Sequence, residues 1–398
     1  MGKRTQGRKI YKTKEKNYYG KTPMGKALSV ALTVLLIGGI GFIGYSVAEP
    51  IVNYTKKKGD DTSSATTVTA ADYIISTEDT SVPPANTDIR EPAVYKAAAF
   101  RVGDLISTDS LKAALNRIPS GQNFEYIEIP LKISGGNIYY TSSVMYAVNS
   151  GAVQNTISLS EVVNIIESAG YKPAALISAF NDSRVPSIDP TAGYVTYATG
   201  EQWIDNDLDA GGKPWMTPYS STAVNYIGDI VTEVSSAGFD RIICTDMVFP
   251  NFRRSDLELL SEELSSKKRF QALTSAANLF YDRAVANGAS MSIEISASDL
   301  LRDNADIINE PLYLNVKSLI VKIDIDEISG GVATDTTVYD FNGTAADKTA
   351  KMLELIKNKL SAYPDTAIRL SGTSIGTDEL LKAKEVIKDY GFKSYVIG

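Results

Sequence analysis

After residue 91 the chain repeats one pattern, a short apolar run followed by a longer stretch with hydrophobic residues at helical spacing. The runs lie at 93–100, 124–131, 171–180, 239–246, 289–296, 316–324, 366–372 and 393–398. Runs this short read as strands buried on both faces. The stretches at 158–170, 221–238, 269–288, 345–362 and 376–391 include several with apolar residues at i, i+3 and i+4 and a closing Gly, which reads as helix with a C-terminal stop. Strict β/α alternation over 91–398 predicts a (β/α)8 TIM barrel. An open doubly wound sheet is the alternative that the same alternation allows. The pattern ends on the eighth strand, so the barrel's last outer helix is expected to be missing or supplied otherwise.

Composition narrows the chemistry. The chain has 398 residues, 43% of them hydrophobic, enough to bury a real core. It has no histidine, which excludes Ser-His-Asp and Cys-His nucleophile systems and histidine-ligated metals. Any catalysis falls to carboxylates, Lys, Tyr or Ser, and no metal or cofactor is expected. The single cysteine, Cys244, cannot form an internal disulfide and reads as packing within an apolar strand.

The amino-terminal region is organised differently. Residues 1–26 hold nine Lys/Arg against Glu15, a basic cytoplasmic tail. Residues 27–48 are 22 uncharged residues, long enough to cross a bilayer as a helix. The basic flank places the amino terminus in the cytoplasm and the rest outside. A cleavable signal peptide ending near Ser46-Val47-Ala48 is the competing reading, although the apolar stretch exceeds the usual signal core. Residues 49–90, rich in Ser, Thr and Asp, read as a flexible tether. Of the 40 Lys/Arg and 47 Asp/Glu, 31 and 46 remain after residue 26, so the exported part is acidic and suits no nucleic acid.

Strand parity names the side chains that can meet inside a barrel. With Ile293 and Ile295 facing helices, Ser292, Glu294 and Ser296 face inward. Ile127 and Ile129 likewise turn Glu128 inward. Val321, Ile323 and Ile325 do so for Lys322, Asp324 and Asp326, and Arg369 joins them from between Ile368 and Leu370. Charges gathered this way either pair with one another, as Glu294 with Lys322 or Asp324 with Arg369, or line a solvated cleft. In a cleft, two carboxylates suffice for glycoside hydrolysis, one as acid and one as nucleophile or base.

The segment 213–250, with Trp215, Pro218 and Tyr219, a helix, then Gly238, Phe239, Asp240 and finally Phe249 and Pro250, resembles a family of glycoside hydrolase-like domains found in bacterial surface proteins. The stretches 126–142 and 174–182 resemble that family's second and third strands, and the similarity extends over 93–398. It implies a TIM barrel acting on a polysaccharide or glycoconjugate at the cell surface. The chain departs from the pattern where the family's fourth-strand aspartate falls on Thr245 and Asp246 stands one residue later. The family's arginines fall on Val248 and Leu176, its second-strand aspartate on Glu128 and its lysine on Pro130. One residue along a strand moves a side chain to the other face, so Asp246 reaches a cleft only if the strand end re-aims it.

These readings give Asp246 and Glu294 as candidate catalytic residues, and Glu128, Asp182, Trp215, Tyr219, Asp324, Lys322 and Arg369 as candidate substrate contacts. For Asp246 a capping or ligand-binding role stays open, as does strand-end polarity for Asp182 and loop packing for Trp203, Trp215 and Tyr219. The expected protein is a membrane-anchored extracytoplasmic glycoside hydrolase-like barrel with a carbohydrate or cell-wall glycan as partner. Its alternative is a catalytically degenerate barrel that binds envelope glycan or a protein without cleavage.

Overall fold

The structure, a computed structural model, describes residues 94–260, 264, 269–302, 318–361, 363 and 365–398. The predicted basic tail, membrane helix and tether lie outside these residues. Among the described residues no helix is long and apolar enough to cross a membrane.

Each of the eight apolar runs forms a strand: β1 (Lys96–Ala99), β2 (Tyr126–Lys132), β3 (Lys172–Ser178), β4 (Arg241–Thr245), β5 (Ser290–Ser296), β6 (Ser318–Asp324), β7 (Thr366–Ser371) and β8 (Ser394–Ile397). All neighbours are parallel and the sheet closes on itself. Closure is made by Lys96, Ala97 and Ala98 opposite Tyr395, Val396 and Ile397, which rules out the open doubly wound sheet. The crossovers carry α1 (Thr108–Asn116), α2 (Leu159–Ser168), α3 (Ser221–Ser236), α4 (Arg269–Ala286), α5 (Ala297–Arg302), α6 (Ala345–Leu360) and α7 (Thr377–Asp389). Hydroxyl caps start several of them. The Ser158 side chain accepts from Glu161 N–H while Glu161 reaches back, and Thr344 and Asp347 repeat the arrangement on α6.

Two hydrophobic clusters report the parity. Ile127, Ile129, Ile293, Ile295, Val321, Ile323, Ile368 and Leu370 pack outward among the helices. Tyr95, Ala97, Ala174, Ile243, Ile320, Ala367 and Val396 fill the barrel. Glu128, Glu294, Lys322, Asp324 and Arg369 therefore occupy the inward row, as alternation predicts. Asp326 does not, because β6 ends at Asp324 and Asp326 sits in a short helix. Its carboxylate accepts from the backbone and hydroxyls of Thr373 and Ser374, which hold it well below the usual carboxylate range and fasten the loop after β7.

Strand β2 breaks its own alternation. The register shifts between Pro130 and Lys132, so Pro130 lies opposite Leu176 and Lys132 opposite outward-facing Ile177. Such a bulge moves Lys132 from the inward row to the layer between sheet and helices. Its ammonium lies 5.7 Å from the Tyr226 ring centroid on α3 and donates to the Ser178 carbonyl at 2.8 Å. Just beyond, Gly136 has φ 96°, and a Cβ there would stand 2.4 Å from Asp182 Oδ1. Gly136→Ala combines backbone strain with a clash against a buried carboxylate. It is expected to cost about 1–3 kcal/mol in urea unfolding.

Candidate functional site

Asp246 follows the last residue of β4 and has φ 52°, a left-handed backbone that is uncommon outside glycine. By parity it should point outward, beside Cys244. The left-handed turn re-aims it, and Oδ2 accepts from Ser178 Oγ at 2.5 Å and Ser134 Oγ at 2.6 Å. Ser178 ends β3 in the inward row and Ser134 follows β2, so the carboxylate is drawn across the carboxyl-terminal mouth toward β2 and β3. Those two hydroxyls are its described side-chain partners, and no cation lies within ion-pair distance among the described residues. Burial pushes the neighbouring Cys244 thiol up to about 12, leaving it unreactive.

Below the mouth, Arg369 of β7 joins two carboxylates. Nη2 lies 2.5 Å from Glu128 Oε2 and Nε lies 2.5 Å from Glu294 Oε2, as close charge contacts rather than aligned hydrogen bonds. Tyr95 Oη donates to the other Glu128 oxygen at 2.8 Å. Burial pushes the Glu128 carboxyl above its usual range, with Arg369 and Tyr95 pulling the other way. Burial also works against the charged form of Arg369, but Glu128 and Glu294 outweigh it and hold the guanidinium above its ordinary value. The Arg369 side chain is 5% exposed and that of Glu294 12%, so solvent reaches this cluster only at its upper edge.

The remaining predicted residues divide. Lys322 and Asp324 pair at 3.2 Å in the upper inward row. Asp324 also accepts from Ser371 Oγ and caps the short helix after β6. The charges thus pair differently from the parity expectation: Lys322 takes Asp324, and Arg369 takes both glutamates. Asp182, expected as a substrate contact, is fully buried with Lys132 at 2.8 Å. Its Oδ1 accepts from the Arg184 and Val185 N–H groups, so its contacts are structural. Trp215 donates to Asp205 at 2.9 Å, while the Tyr219 ring packs tilted against Phe249 at 5.7 Å between centroids. Tyr219 lines a cleft of about 190 Å3 with Thr191, Tyr194, Thr217 and Leu260. Trp203 is buried against Tyr194 and Phe252. A second cleft, about 550 Å3, lies against α7 and the start of β8, at the opposite end of the barrel from Asp246.

Sequence reasoning missed Tyr95, Lys132, Ser134 and Ser178, which hold these carboxylates. For Lys132 a signal existed. Pro130 cannot donate to a sheet ladder, and a proline inside a strand marks an edge or a bulge.

A closed barrel of eight parallel strands joined by helical crossovers defines a protein of the (β/α)8 class. The family described as "Putative glycosyl hydrolase domain" matches residues 104–309, more than half of the chain, and the chain belongs to that family. The match holds Glu128, Asp182, Trp215, Tyr219, Asp246 and Glu294, while Lys322, Asp324 and Arg369 lie beyond it. Among solved structures, the PgaB (BpsB) glycoside hydrolase domain from Bordetella bronchiseptica is 12% identical, over 77% of this chain and 94% of that one, with a TM-score of 0.52. A hypothetical protein from Ruminiclostridium thermocellum is 20% identical over 50% of this chain and 96% of that one, with a TM-score of 0.40. The chitobiase of Flavobacterium johnsoniae is 9% identical over 76% and 44%, with a TM-score of 0.48. The likeness to the Bordetella domain supports the barrel fold and nothing finer. No curated protein matches the chain in sequence.

Proposed function

We propose that the chain is a membrane-tethered extracytoplasmic barrel whose mouth binds a cell-surface polysaccharide or glycoconjugate, and that it holds this glycan without cutting it. In this reading residues 1–26 are cytoplasmic, 27–48 span the membrane, 49–90 tether and 91–398 form the barrel. One observation carries the choice of binding over cleavage. Arg369 lies in ion-pair contact with both Glu128 and Glu294, so the carboxyl group nearest in strand position to Asp246 is held by a cation inside the barrel. Glycoside hydrolysis needs a carboxyl group that carries a proton to the leaving oxygen. Glu128, the carboxyl group that burial pushes upward, is fully enclosed between Tyr95 and Arg369 where no leaving group reaches it.

Hydrolysis is the second reading, favoured by the left-handed backbone that turns Asp246 into the mouth without a cation beside it. There Asp246 would be nucleophile or base and Glu294 the acid. Full-length protein in detergent, applied to an array of envelope glycans and assayed in parallel for new reducing ends, separates the two. Retention without release is expected, with Asp246→Asn weakening retention about tenfold through loss of a charged hydrogen-bond acceptor. Release of reducing ends that disappears in both Asp246→Asn and Glu294→Gln would establish cleavage instead.

A further inference from the structure

The ring of outer helices has one gap. Strand β8 closes on β1, yet between α7 and α1, the helices that flank this pair of strands, no further helix stands among the described residues. The cleft of about 550 Å3 lies in that gap. One face of α7 walls it through Leu381, Lys382, Glu385 and Lys388, residues 121–123 wall it from the α1 side, and Tyr395 of β8 lies at its base. From Asp378 to Lys388 the wall runs about 15 Å at helical rise.

The chain after residue 26 is acidic, but this cleft is basic. Lys382, Lys384 and Lys388 line it against Asp378 and Glu385. Lys388 takes both oxygens of Glu385 at 2.9 Å, and Lys382 makes no ion pair among the described residues. Lys384 is 6% exposed, and its ammonium donates to the neutral Gln122 Oε1 at 2.6 Å, with Glu385 Oε1 at 3.7 Å. Burial, and then Lys388, hold Lys384 below its ordinary value, so an acid brought into the cleft is favoured there.

The chain itself carries such acids close by. The Tyr395 N–H donates to the Tyr95 carbonyl, so the polypeptide enters β1 beside the base of the cleft, and Val94 at that entry is 36% exposed. Residues 59–93, just ahead, hold seven Asp/Glu against Arg90. Within them the segment 70–79, AADYIISTED, joins three consecutive large apolar residues, Tyr73, Ile74 and Ile75, to Asp72, Glu78 and Asp79. In a helix its ten residues span about 15 Å, the length of the α7 wall. Only the 14 residues 80–93 separate it from the entry, which keeps its local concentration on the order of millimolar, so a weak contact suffices.

We propose that residues 70–79 dock along α7 in the place of an eighth outer helix, with Tyr73, Ile74 and Ile75 against Leu381 and Tyr395 and the acidic flanks among the three lysines. On the tethered reading, part of the tether is then a latch on the barrel, and its release lengthens the barrel's reach from the membrane. The docking itself depends neither on that reading nor on what the mouth does.

Hydrogen exchange of the full chain in detergent, followed by mass spectrometry, tests this. Peptides covering 70–79 should exchange at least about tenfold more slowly than those covering 59–69. Reversing the segment's charges (Asp72→Lys, Glu78→Lys and Asp79→Lys together) or the cleft's (Lys382→Glu with Lys388→Glu) should remove that protection, while strands β2 to β6 keep theirs. Lys382 and Lys388 are exposed on α7, so the cleft variant leaves the core intact. Carbodiimide coupling should join Lys382 or Lys388 to Asp72, Glu78 or Asp79 within one chain. In a mixture of isotope-labelled and unlabelled protein, coupled peptides of mixed label place a second copy in the cleft and overturn the proposal. Equal exchange across 59–79, or protection that survives the cleft reversal, overturns it as well.

Discussion

Arg369→Met is expected to destabilise the barrel by about 3–5 kcal/mol, because it leaves two inward carboxylates without their shared cation. Both Glu128 contacts are fully enclosed and Glu294 is nearly so, so solvent screening does little to soften the loss. The effect should depend on pH in a definite direction. The folded Glu128 carboxyl already sits above its unfolded value, and removing Arg369 takes away the influence that lowers it. A carboxyl raised on folding stabilises the fold fully below its unfolded pKa, and this contribution is lost as pH rises through the folded pKa. The deficit of the variant is therefore largest at neutral pH and shrinks on acidification. Urea midpoints of both proteins between about pH 8 and about pH 5 check this. A deficit under about 1 kcal/mol at neutral pH would mean that the three groups do not carry the charges assigned to them.

Lys132→Met should cost a similar amount, about 3–5 kcal/mol, since it strands Asp182 between sheet and helices with no exposed surface. Asp182 keeps two backbone N–H donors, which orient it but do not neutralise it. Adding Asp182→Asn to that variant should recover most of the loss, because the amide oxygen still accepts those donors without a charge. A double-mutant cycle by urea unfolding is expected to give a coupling on the order of 2 kcal/mol. Additive effects would show that the pair is not the reason Lys132 is buried. Loss of the pair would also loosen the bulged end of β2, from which Ser134 reaches Asp246.

The barrel was legible because its signal is local and repeated. The run at 289–296 is β5 at Ser290–Ser296, and that at 316–324 is β6 at Ser318–Asp324, since apolar strands and amphipathic helices declare themselves by spacing alone. Inward placement of Glu128, Glu294 and Arg369 followed from the same period, because isoleucines on either side had to face the helices. Asp326 was misplaced by extending that period past the residue where the strand becomes a helix. The aspartate beside β4 was legible as a candidate, yet its direction depends on one left-handed dihedral that no hydrophobic pattern encodes.

The amino-acid order by itself determined eight strands, five of the helices between them and the inward positions of Glu128, Glu294, Lys322, Asp324 and Arg369, because each of these is settled by water's exclusion from neighbouring residues. Only the tertiary structure decided which charges meet. Glu128, Glu294 and Arg369 come from strands far apart in sequence, and their pairing depends on barrel closure and register. Lys132 reaches Asp182 through a single inserted residue, and Asp246 reaches the mouth through a single positive φ. Electrostatic partners at these distances are fixed by angstroms of geometry, which composition and spacing do not contain.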